Sequence, residues 1–217
     1  MDLSALILFT ELLILSEAVA AIAGFITWQK WKHSYLKWFP VYLGFITVLE
    51  SMNRLLANDA TAAMSGWVRN IAAIIEMLFI SAFFYRLLPK QHKKIPAAGI
   101  ILFLISWVLE KTVMSSNDYF FQSLSYTTGN LFILIYLVVF FRELARSEDI
   151  LQFKKLTVFW VSLGLLIFYL GTFPFYGLYN ELAKDMHVFV PVAWIATILN
   201  HIMYLLFTIG FIWGKAG

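Results

Sequence analysis

The stretch Val190-Pro-Val-Ala-Trp-Ile-Ala-Thr-Ile-Leu-Asn-His-Ile-Met-Tyr-Leu-Leu-Phe-Thr-Ile-Gly-Phe-Ile-Trp213 contains no Asp, Glu, Lys or Arg. About 20 mainly apolar residues are enough for a helix to cross the hydrocarbon core of a bilayer. A surface helix of a soluble protein needs a broad polar face, and this segment has none. Its few polar side chains are nevertheless ordered. Thr197, Asn200 with His201, Tyr204 and Thr208 fall at i, i+3/i+4, i+7 and i+11, so they share one stripe. The segment therefore predicts a membrane helix with a polar seam turned toward other helices.

Working outward, six more stretches of this kind occur, at about 4–29, 38–57, 67–88, 95–113, 119–142 and 156–179, with the last span at 190–213. They predict an all-α integral membrane protein, a seven-transmembrane-helix bundle forming one domain over 1–217. Composition agrees: 61% of the 217 residues are hydrophobic and 13% are charged. Soluble domains carry about 45–50% apolar and about 25% charged residues. With no cysteine in the chain, disulfides, thiolate metal sites and cysteine nucleophiles are excluded. The start, Met1-Asp2-Leu3-Ser4, lacks the basic segment of a secretory signal, so the first stretch is expected to be a retained span. The lipid bilayer is thus the first expected partner.

Basic residues predict the orientation. The loops after spans one, three and five, with the C-terminus, hold twelve Lys and Arg, from Lys30, Lys32 and Lys37 through Arg86 and Lys94 to Lys154, Lys155 and Lys215. The other side holds four: Arg54, Arg69, Lys111 and Lys184. This positive-inside bias places the N-terminus out and the C-terminus in. Because the basic residues lie in short loops and not on one face, no nucleic-acid partner is expected. Equal orientation of spans one to three and five to seven also admits a 3+1+3 organisation, with Leu43-Gly44 and Leu163-Gly164 in corresponding places.

Ionisable residues within a bilayer cost about 2.5–3.5 kcal/mol each on insertion scales, so they face the bundle interior and pair or line a cavity. Here the candidates are Glu17, then Glu50, Asn53 and Arg54, then Arg69, Asn70 and Glu76. Tyr126 and Asn130, Tyr169 and Thr172, and Asn200, His201 and Tyr204 add polar groups from the later spans. Glu50 and Arg54 are i,i+4 neighbours, and Arg69 and Glu76 are i,i+7, so each pair shares a stripe. In depth, these groups map to the outer half of the predicted bundle, above inner halves rich in Phe, Leu, Ile and Val. The expectation is a polar cavity closed below by an apolar plug, suited to a small polar or cationic ligand. Two readings stand open for the charged pairs: an interhelical salt-bridge cluster, or a ligand- or proton-binding site. Likewise His201 is either a hydrogen-bonded core histidine or a ligand group. In the sixth span Pro174 removes a backbone bond, and Gly171 allows close approach of a neighbour. These two mark either a hinge or a static kink.

Several chemistries lack their residues. No lysine stands inside the last span to hold a retinal, and Lys215 lies beyond its end. His33, His92, His187 and His201 are scattered, and no HExxH, GxSxG or phosphate-loop motif occurs. No catalytic residue, metal or cofactor is therefore assigned.

The run Leu36-Lys-Trp-Phe-Pro40-Val-Tyr-Leu43, Glu50 with Arg54, and Phe159-Trp-Val-Ser-Leu-Gly164 to Leu170-Gly-Thr-Phe-Pro-Phe175 resemble a group of small, uncharacterised seven-helix proteins of Bacteroidota bacteria. Members of that group are often encoded near sensor histidine kinases. The resemblance implies a multi-pass protein of the bacterial inner membrane and a membrane or cytoplasmic signalling partner, and brings no catalytic residues. The reading favoured is a receptor- or sensor-like protein that binds a small ligand or proton and signals through a separate partner. The alternatives are a small-solute or proton-coupled transporter, and an intramembrane enzyme or assembly factor.

Overall fold

The computed structural model describes residues 3–55, 62–114 and 122–215, with nothing stated for the side chains of 3, 62–66 and 114. Its helices are α1 (Leu3–Glu11), α2 (Leu13–Ile26), α3 (Trp38–Leu55), α4 (Ala62–Leu87), α5 (Lys94–Leu109), α6 (Ser123–Arg146), α7 (Thr157–Gly177), α8 (Tyr179–Leu182) and α9 (Met186–Trp213). Among the described residues there is no strand. One isolated parallel bridge, Leu156 to Lys215, ties the end of α9 to the start of α7.

Six segments are long and apolar enough to cross a membrane: Ser4–Ile26, Trp67–Leu87, Lys90–Val113, Ser123–Arg146, Thr157–Gly177 and Met186–Trp213. They mark the chain as a multi-pass membrane protein. Helix α3 is not among them, for a chemical reason. Its 18 residues carry Glu50, Asn53 and Arg54 near one end, which offset the apolar remainder. The expected spans otherwise shift by a few residues, and their limits at 56–57 and 119–121 lie outside the described residues. The last helix begins at Met186 because the Asp185 carboxylate accepts the His187 N–H at 2.9 Å, capping it earlier than the apolar run alone predicts.

Each long helix packs on its neighbours in sequence, and α9 returns to α1 and α2, so the bundle is a closed ring. The basic loops gather at one end. There Lys30 Nζ donates to the Ile212 carbonyl at 2.7 Å, capping the C-terminus of α9, and the Lys215 N–H donates to Lys155 O at 2.7 Å. His92 Nε2 lies 3.4 Å from Glu143 at the same end. The outward surface is apolar, with Ile7, Leu8, Leu15, Val19 and Ile22 all largely exposed along the first segment. Such a belt is what a lipid-facing surface requires.

Inside a bilayer, helix association depends on close packing more than on apolar burial. Phe39 of α3 is the centre of that packing. Its ring meets those of Phe79, Phe83 and Phe207 edge-on at 5.5, 5.3 and 5.2 Å, knitting α3, α4 and α9 together. Edge-to-face aromatic pairs contribute about 0.5–1.5 kcal/mol each. The expected apolar plug is thus an aromatic one, lying toward the basic end.

Two glycines show how closely helices approach. A Cβ on Gly24 would fall on Pro40, and one on Gly99 would fall on the Tyr136 hydroxyl, with Phe132 Cγ at 3.0 Å. Tyr136 is fully buried and cannot swing away. Gly99→Ala is therefore expected to destabilise the bundle by about 1–3 kcal/mol through overpacking between α5 and α6. A thermal-unfolding midpoint equal to that of the parent protein would contradict this.

Candidate functional site

The site begins with an irregularity in the first span. The helix stops at Glu11 and restarts at Leu13, with Leu12 at φ −68°, ψ −15°. No proline or glycine stands there to cause it. Two carbonyls of the interrupted turn accept side-chain donors instead. Arg54 Nη2 donates to Thr10 O at 2.6 Å, and His201 Nε2 donates to Phe9 O at 3.2 Å. Side-chain insertion into a helix ladder is a recognised cause of such breaks. The other ring nitrogen, His201 Nδ1, lies 2.7 Å from Ser16 Oγ, and the imidazole packs at a tilt against the Phe9 ring, centroids 4.4 Å apart. His201 thus ties α9 to both halves of the first span, which is the hydrogen-bonded core histidine of the two readings.

Beside this break are two adjoining chambers. The first, about 310 Å³, lies between α3 and α4 and is lined by Glu50, Asn53, Arg54, Arg69, Glu76, Tyr126 and Tyr176 among others. The second, about 660 Å³, lies between α1, α7 and α9 and includes Glu11, Phe175, Tyr179, Thr197 and Asn200. Thr10, Arg54, Arg69 and Tyr176 line both, so the chambers share a wall.

The floor is made of carboxylates held by tyrosines. Tyr169 donates to Glu76 at 2.7 Å, Tyr126 donates to the other oxygen of Glu76 at 3.4 Å, and Tyr204 donates to Glu17 at 3.0 Å. Glu17, Glu50 and Glu76 are within electrostatic reach of one another, and Tyr42 lies among them. Five helices contribute one residue each to this floor: Glu17 from α2, Glu76 from α4, Tyr126 from α6, Tyr169 from α7 and Tyr204 from α9. The helical period explains their convergence, since each occupies the inward stripe of its own helix.

The charged pairs do not close as salt bridges. Glu50 and Arg54 influence one another, yet Arg54 spends its bond on Thr10 O. Glu76 is held by hydroxyls, and no ion pair joins it to Arg69 among the described residues. Three other expected site residues lie elsewhere. Asn70 borders a separate void beside Trp107 and Ser125. Asn130 is fully buried away from the chambers, and neither of its amide atoms has a partner. Thr172 turns its hydroxyl back onto Phe168 O of its own helix at 2.7 Å, which satisfies it locally. Helix α7 runs unbroken through Pro174, and a Cβ on Gly171 would fall on Leu199, so Gly171 is a close-packing position.

Sequence reasoning left out Thr10, Ser16, Tyr42 and Glu110 as site or support residues. Tyr42 lies eight residues before Glu50 and so on its stripe, which was a usable signal. Glu110 had none: its carboxylate accepts the backbone N–H groups of Leu124 and Ser125, a pairing between separate helices. Among the described residues no group of three His, Asp or Glu side chains is placed to hold a metal ion. No protein-family model, no curated protein and no solved structure matches this chain.

Proposed function

We propose that this chain is a seven-helix membrane receptor of the bacterial inner membrane, with α3 as its seventh span, the N-terminus outside and the C-terminus in the cytoplasm. In this reading a small polar or cationic ligand enters the two chambers from outside, and a separate membrane or cytoplasmic partner reads the response. The observation that carries it is the carboxylate–tyrosine floor, where Tyr169, Tyr126 and Tyr204 hold Glu76 and Glu17 directly above the Phe39 aromatic plug. A polar cavity floored by held carboxylates above a cluster of packed rings suits binding better than passage. Gathering of the basic loops at the sealed end supports the orientation.

A transporter is the second reading, favoured by one feature. Transporters place their sites near the bilayer midplane, beside interrupted helices whose freed backbone groups face the site. The break at Leu12, with Phe9 O and Thr10 O taken by side chains, has that character. Proteoliposomes carrying the purified protein and a pH-sensitive dye separate the two. The receptor reading expects proton flux no greater than in empty vesicles, under either sign of membrane potential. Flux above that background which disappears in Glu76→Gln would sink it in favour of the transporter.

A further inference from the structure

Charge in the first chamber is layered. Arg54 lies near the end of α3, and Arg69 stands before Glu76 on α4, so both lie toward the connection between these helices. Glu50 is one helical turn deeper than Arg54, about 6 Å, and Glu76 is two turns deeper than Arg69, about 10 Å. Below them sits Glu17, only 1% exposed. In the first chamber the arginines and the carboxylates therefore form two layers, and Glu11 stands with the arginines on the wall of the second.

Several bonding positions in these layers are open. Glu17 lies beneath the chambers and lines neither, with one carboxylate oxygen on Tyr204. On the wall of the second chamber Asn200 Oδ1 is buried and has no partner. Arg69 makes no hydrogen bond or ion pair with any described residue, and Arg54 bonds a neutral carbonyl. A buried amide oxygen without a partner, as at Asn200, costs about 1–3 kcal/mol, whereas Arg69 is exposed and Arg54 half-buried. The floor also presents aromatic faces: the rings of Tyr126 and Tyr176 lie 4.7 Å apart over it. Such faces attract organic cations. Finally, the acidic groups do not converge on one point among the described residues. Glu50 and Glu76 instead line the wall of the first chamber.

We propose that the chambers take a small zwitterion, an organic ammonium joined to a carboxylate, phosphonate or sulfonate group, bound with the ammonium on Glu76 and Glu50 and the anion on Arg54 and Arg69. The proposal rests on the reading that this cavity binds a ligand and adds its chemical class. A cation alone would leave both guanidinium groups unmatched. An anion alone would meet the carboxylates below. The zwitterion satisfies both layers, and the layer spacing of about 6–10 Å suits an ω-amino acid better than an α-amino acid.

The test is calorimetric titration of the full chain in lipid nanodiscs with four probes: 4-aminobutanoate, 6-aminohexanoate, butylamine and butanoate. At least one aminocarboxylate is expected to bind at least about tenfold more tightly than butylamine and butanoate. That advantage should disappear in Arg54→Gln/Arg69→Gln, leaving amine binding in place, and all binding should weaken in Glu76→Gln or, should that variant fail to fold, in Glu50→Gln. Equal affinity for butylamine and both aminocarboxylates would overturn the zwitterion while leaving a cation-binding cavity. Absence of heat from all four probes would overturn it too. Neither result bears on the flux measurement, which decides receptor against transporter separately.

Discussion

Glu110→Ala is expected to destabilise the protein by about 3 kcal/mol, the largest loss from any single side chain away from the cavity. Glu110 sits at the end of α5, where the chain enters a short π-helical turn, Glu110–Met114. Its carboxylate is 1% exposed and accepts Leu124 N–H at 3.0 Å and Ser125 N–H at 2.8 Å. Those amides belong to the first turn of α6, whose leading N–H groups have no partner within the helix. One side chain therefore satisfies two orphan donors and places a negative charge at the positive end of a helix. Hydrogen bonds to a charged group are worth about 1.5–3 kcal/mol each in mutational series, and bilayer reference states reduce that. Glu110→Gln keeps one acceptor and should lose roughly half as much. Hydrogen exchange checks the mechanism as well as the magnitude: the Leu124 and Ser125 amides should lose protection while those in the middle of α9 keep theirs. Unchanged exchange at both amides would mean that α6 begins correctly without the cap.

Glu76→Ala is the second substitution with a large expected effect, about 1–3 kcal/mol together with loss of binding. Tyr169 is fully buried, and its hydroxyl donates to Glu76 at 2.7 Å. Removing the carboxylate strands that hydroxyl in the centre of the bundle, a desolvation cost of about 1–3 kcal/mol. Tyr126 loses a longer bond of 3.4 Å and contributes less. A double-mutant cycle with Tyr169→Phe isolates the pair. Because the phenylalanine has no hydroxyl to strand, Glu76→Ala should cost about 1 kcal/mol less in that background. Strict additivity of the two substitutions would show that the hydroxyl finds another acceptor and that the floor is not built on this bond.

These two residues contrast in how they could be found. Glu76 was visible in the sequence as an acidic residue within an apolar run, seven positions from Arg69 on one stripe. Glu110 was visible only as a charge near the end of a span. Its role depends on a chain reversal that carries the start of α6 back against it, across residues with no periodic signal. His201 is an intermediate case. Its stripe could be read from the spacing with Thr197 and Tyr204, but its bonds to Ser16 and Phe9 join opposite ends of the chain.

The sequence alone predicted seven apolar runs, of which six are the membrane-length helices, because run length and a 3.6-residue period are local properties. Only the tertiary structure decided which polar groups meet. The pairing of Glu76 with Tyr169, the diversion of Arg54 from Glu50 to Thr10 O, the break at Leu12 and the exclusion of Asn70 and Asn130 from the chambers all depend on the rotation and depth of neighbouring helices. Those are set by contacts such as Gly24 on Pro40 and Phe39 among the rings of α4 and α9, where small residues let helices close and large ones hold them apart. Helical period fixes a face to within a turn, whereas a hydrogen bond requires agreement within tenths of an ångström, and that agreement exists only once the bundle has packed.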